Sequence, residues 1–84
     1  MPIVSSLRSV RPLESVDAVV ASVMKGSVRT EGVSGNVEYR RDGLTVHLGS
    51  RHGATWIDVS SHGLEAGRRI AARLIQRGIP VDVA

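Results

Sequence analysis

The sequence predicts an α+β fold: a three-stranded antiparallel meander with two helices packed on one face, in the order α-β-β-β-α, with room for a short extra strand at either end. Three observations carry this expectation. Apolar residues recur at helical spacing over residues 13–24 and again over residues 64–75. Between them, two alternating runs flank Asp42-Gly43. A third alternating run follows at residues 55–59. Helices and strands that each carry one apolar face fold most simply as two layers.

Residues 1–11 show no clear period and read as an edge strand around Pro2-Ile3-Val4 or as a loose segment. From Pro12 the pattern turns helical, with Leu13, Val16, Val20 and Val23 at spacings of three and four. Pro12 suits the first turn, Glu14 and Asp17 favour the N-terminal end, and Lys25-Gly26 reads as a stop. Residues 27–35 are a connection with a short strand near Val28. Gly32-Val33-Ser34-Gly35 has the spacing of a backbone clamp that joins two helices, but here it leads into a strand and reads as a turn.

Asp-Gly between alternating runs signals a two-residue hairpin, because a type I′ turn needs positive φ at both central positions. That loop sets the register: Arg41 opposite Leu44, Tyr39 opposite Val46, Val37 opposite Leu48. Val37, Tyr39, Leu44, Val46 and Leu48 then share an apolar face, and the other face pairs Glu38 with His47 and Arg40 with Thr45. Residues 49–53 read as a loop. In the third strand Ile57 and Val59 point inward, Trp56 and Asp58 outward. Ser60 or Ser61 is placed to cap the second helix, whose expected buried face is Leu64, Gly67, Ile70, Ala71, Leu74 and Ile75. Gly78 and Pro80 end it. Residues 81–83 read as an optional short final strand.

Eighty-four residues allow one small domain, residues 1–84. The chain has no cysteine, which excludes disulfides and thiolate chemistry, and no phenylalanine, so Val, Ile, Leu and Ala must build the core. No apolar run approaches the roughly 18–20 residues of a membrane span, and the start lacks the pattern of a signal peptide. The expected location is therefore cytoplasmic, with no membrane partner.

The net charge is +3. Residues 64–78 hold four arginines (Arg68, Arg69, Arg73, Arg77) against one acid, Glu65, so the whole excess lies on the second helix. Concentrated charge steers and holds an anionic partner. Arg69, Arg73 and Arg77 fall within about 100° of arc, where guanidinium groups at successive turns engage consecutive phosphates. The bland alternative is a solvated face with an ordinary Glu65–Arg69 i,i+4 pair. Arg40, Arg51 and Trp56 are secondary candidates, since an aromatic beside cations stacks bases or anchors a protein. The alternative for Trp56 is a ring covered by a terminal segment or lying in the core. His47, His52 and His62 lack the spacing of convergent metal ligands, and neither a nucleophile elbow nor a P-loop occurs, so no catalytic residue, metal or cofactor is expected.

The α-β-β-β-α order resembles that of double-stranded-RNA-binding domains. Residues 35–79, a hairpin, a further strand and a helix ending Arg77-Gly78-Ile79, are similar in layout to small toxin ribonucleases of the HicA type. That family carries a catalytic histidine near the start of its first strand, where this chain reads Gly35-Asn36-Val37-Glu38. The departure argues against nuclease activity. The expected function is a small non-enzymatic binding module whose Arg-rich helix engages an anion, DNA or RNA first. The alternative is a phage or mobile-element type inhibitor or adaptor that blocks a host nucleic-acid machine by binding an acidic protein surface. Weaker readings are a small hydrolytic toxin using one of the histidines and a subunit of a homodimer or larger oligomer.

Overall fold

The computed structural model describes residues 2–84. In chain order these form β1 (Ile3–Ser9), α1 (Leu13–Val23), β2 (Val28–Glu31), β3 (Val37–Arg41), β4 (Leu44–Arg51), β5 (Ala54–Ser61), α2 (Ala66–Gln76) and β6 (Asp82–Val83). Across the described residues the strands make one six-stranded sheet in the order β2-β3-β4-β5-β1-β6, with every neighbouring pair antiparallel. This overturns the expected three-stranded meander and its α-β-β-β-α order. With it goes the topological likeness to double-stranded-RNA-binding domains.

The β3–β4 hairpin has the expected register, with Arg41 opposite Leu44, Tyr39 opposite Val46 and Val37 opposite Leu48. Asp42 (φ 48°) and Gly43 (φ 78°) supply the two positive φ angles that the type I′ turn demands. The next connection is a correction. Residues 49–53 are not a loop: β4 runs through Arg51, and His52 (φ 52°) with Gly53 (φ 81°) makes a second two-residue turn into β5. Histidine at a left-handed position disguised this turn, because the familiar signals there are Asn-Gly and Asp-Gly.

The largest departure is β1. It pairs with β5 over seven residues and with β6 on its other side, so it lies inside the sheet. Its helix-facing positions are Ser5, Leu7 and Ser9, and two serines among three inward residues erase the hydrophobic alternation. The serines have packing reasons. A Cβ added at Gly67 of α2 would lie 2.4 Å from Ser5 Oγ, so this pair lets the helix and strand approach closely. Ser9 is buried, and its Oγ accepts the Arg11 N–H at 3.2 Å.

Both helices cover one face of the sheet. Val16, Val20 and Val23 of α1 and Ile70 and Leu74 of α2 join Leu7, Val37, Tyr39, Val46, Leu48, Ile57 and Val59 in a single core. Asp17 of α1 ties the helix to the edge of the sheet. Its carboxylate accepts from Arg29 Nη2 at 2.6 Å and from the Tyr39 hydroxyl, and Arg29 also pairs with Glu31 at 3.0 Å. Burial by itself raises the Asp17 pKa, but the hydrogen bonds from Arg29 and Tyr39 and the Arg29 charge outweigh it and hold the carboxyl below its ordinary value. Among the described residues no helix is long and apolar enough to cross a membrane.

Candidate nucleic-acid interface

Helix α2 begins later than the apolar spacing predicts. Ser60 and Ser61 belong to β5, and the N-cap is Glu65 without a side-chain cap bond. Leu64 therefore precedes the helix and is exposed, and Ile75 is also exposed, so neither belongs to the buried face. That face is Gly67, Ile70 and Leu74, with Ala66 and Ala71 at its margin. Strong helix formers fill the rest, and a Schellman motif closes the C-terminus. There Ile79 N–H bonds Leu74 O and Gly78 N–H bonds Ile75 O, each at 3.0 Å, with Gly78 at φ 86°. Ile79 and Leu74 bury together behind that turn.

This frame leaves Arg68, Arg69, Arg73 and Arg77 exposed. The Glu65–Arg69 ion pair of the alternative, solvated-face reading is not formed, and among the described residues no carboxylate lies within ion-pair distance of any α2 arginine. The ion pairs present are Arg29 with Asp17 and Glu31, and Glu38 with Arg40 and His47. All belong to α1, β2, β3 and β4. Neutralised cations thus sit at one end of the sheet, and the arginines of α2, like Arg8, Arg41 and Arg51, are uncompensated among the described residues.

The arginines do not all share one flank. Arg69 and Arg73 border a groove of about 480 Å³ between α2, the end of α1 and the β3–β4 hairpin. Its apolar floor is Val23, Leu44, Ala66 and Ile70, and Arg41 stands on its far wall, donating to the Lys25 carbonyl. Among the described residues no acidic side chain lines it. Arg68 lies on the opposite flank, beside β1 and β6. Arg77 closes the helix, its Nη1 donating to the Arg73 carbonyl at 3.4 Å. Arg41 escaped the sequence reading because only tertiary packing brings the hairpin turn against α2.

The secondary candidates lie on the other side of the sheet. Trp56 and Asp58 point away from the helices, as expected, and Trp56 is half-buried. Its indole lies across the neighbouring strand: a Cβ at Gly49 would sit 2.1 Å from the ring. Trp56 faces Gly49 on β4 and Arg8 on β1, and with Arg51 and His52 it borders a depression of about 340 Å³. Arg8 went unnoticed in the sequence because the β1–β5 pairing that places it was hidden. Arg40 shares this open face but is occupied by Glu38 at 3.3 Å. His47 bonds Glu38 at 2.8 Å, the cross-strand pair the hairpin register predicts. The structure therefore brings Arg51 to Trp56 and Arg41 to Arg69 and Arg73, and it separates these two groups by the thickness of the sheet.

Fold and surface together define an α+β domain, a six-stranded antiparallel sheet with one helical face, one open face and an uncompensated basic helix. Compared with family models, curated proteins and solved structures, the chain has no match.

Proposed function

We propose that this protein is a small non-enzymatic module that binds nucleic acid through the arginines of α2. The observation that carries the reading is that, among the described residues, Arg68, Arg69, Arg73 and Arg77 have no carboxylate within ion-pair distance, whereas Arg29 and Arg40 at the β2–β3 edge are paired. Residues four apart on a helix rise by about 6 Å, so Arg69, Arg73 and Arg77 present one guanidinium per turn to a phosphate backbone. Guanidinium recognises phosphate with two parallel N–H bonds, and its charge releases condensed counterions.

The test is anisotropy of short labelled DNA and RNA titrated with the protein between about 50 and 200 mM salt. Saturable binding that falls linearly in log salt, and that Arg73→Glu weakens alike on every sequence, is the expected result. A flat titration at the lowest salt refutes it. The apolar floor of the Arg41–Arg69–Arg73 groove favours a second reading, an adaptor or inhibitor that docks an acidic amphipathic helix of a protein. In that case Leu44→Asp abolishes partner binding and nucleic acid has no measurable affinity.

A further inference from the structure

We infer that Trp56 is a stacking platform for an unpaired base, so that the protein selects single-stranded over duplex nucleic acid. The inference rests on the nucleic-acid reading above and adds a second site on the opposite face of the sheet. Three observations carry it. First, the indole packs over the backbone of Gly49, where an added Cβ would fall 2.1–2.5 Å from three of its ring atoms and displace it. One ring face is spent on that glycine, and no helix covers the side of the sheet on which the other lies. A backbone-supported indole on an open sheet face offers a base a surface on which to stack.

Second, the ring is flanked by cations. Arg8 is its direct cross-strand neighbour on β1, and Arg51 borders the same depression. Neither has a carboxylate within ion-pair distance among the described residues, although Asp82 faces Arg8 across β6. Planar stacking with adjacent guanidinium groups fits a nucleotide, whose base and phosphate need one of each. Third, Ala84 borders both this depression and the surface that contains Arg68, so the α2 flank and Trp56 meet around the short β6 edge. A flexible single strand can turn around that edge and touch both. A rigid duplex, with a persistence length of about 150 base pairs, cannot.

Trp56 is the only tryptophan, so its emission reports the site directly. The full chain is titrated with oligodeoxythymidine of about 12 nucleotides, within the usual site size of a single-strand binder, and with a duplex of equal length. The single strand is expected to quench Trp56 saturably and the duplex to leave it unchanged. By anisotropy, Trp56→Ala weakens single-strand binding by about 5- to 150-fold, the loss of one base stack, while Trp56→Phe retains most of the affinity. Gly49→Ala, which keeps the tryptophan but lifts its ring, gives a loss similar to Trp56→Ala. Circular dichroism of each variant checks that it is folded.

Saturating single-strand binding with unchanged emission, or equal affinity of the wild type and a folded Trp56→Ala variant, overturns the inference. In both cases the α2 reading survives if Arg73→Glu still weakens binding. No binding of either oligonucleotide at about 50 mM salt refutes both.

Discussion

Gly67→Ala tests the packing that places α2 and its arginines. Alanine is normally the better helical residue by about 1 kcal/mol, so on propensity alone the change would stabilise the protein. Here the added Cβ would lie 2.4 Å from Ser5 Oγ and 2.5 Å from Ser5 Cβ. Carbon atoms rest at roughly 3.5–4.0 Å, so α2 must move about 1 Å away from β1. Ser5 cannot yield by rotation alone, because its Cβ is fixed to the strand. Overpacking of this kind costs about 1–3 kcal/mol, and with the propensity gain of about 1 kcal/mol subtracted the expected net loss is about 0–2 kcal/mol. For a domain of this size each kcal/mol lowers Tm by about 4–8 °C. The assay is urea unfolding of the four members of a Ser5→Gly, Gly67→Ala cycle. In the double variant the nearest atom to the new methyl is the residue-5 Cα at 4.0 Å, an ordinary contact. Gly67→Ala should therefore be at least about 1 kcal/mol more favourable in the Ser5→Gly background than in the wild type. Strict additivity, or a Gly67→Ala variant stabilised by the full propensity gain of about 1 kcal/mol, would refute the claim that this glycine exists for helix–strand approach.

Three further outcomes are expected. Asp17 is held below its ordinary carboxylate pKa of 3.8, so its contribution is complete above about pH 4 and disappears as pH falls through the lower folded value. Asp17→Asn should cost about 1 kcal/mol at pH 7, allowing for solvent at Arg29, and should flatten the acid limb of a stability–pH curve; an unaltered limb would contradict it. Arg69→Glu and Arg73→Glu, at exposed positions without ion-pair partners among the described residues, should each change unfolding free energy by less than about 0.5 kcal/mol while weakening oligonucleotide binding and reducing its salt dependence. A comparable stability loss would mean that these arginines serve the fold. Leu48→Ala, in a fully buried position of the central strand β4, should cost about 2–5 kcal/mol by denaturant titration; a loss below 1 kcal/mol would show that the core there collapses around the cavity.

Local chemistry determined much of this protein. Asp42-Gly43 fixed the β3–β4 register down to the Glu38–His47 pair, because a two-residue turn admits one pairing and the apolar face agrees with it. The valines of α1 and the outward position of Trp56 were legible for the same reason: period alone assigns them a face. The charge on α2 could be counted, but its isolation from carboxylates could not. Tertiary structure decided where period is silent. Ser5 and Ser9 turned an interior strand into an apparently loose segment, since α2 lying close to the sheet requires a small residue at Ser5 and the buried Ser9 accepts the Arg11 N–H, both where alternation would place large apolar residues. Placing β1 beside β5 set Arg8 next to Trp56, and packing the β3–β4 turn under α2 set Arg41 opposite Arg69 and Arg73. These are contacts between residues far apart in the chain, fixed by how one covered sheet face closes over its core, and no local spacing encodes them.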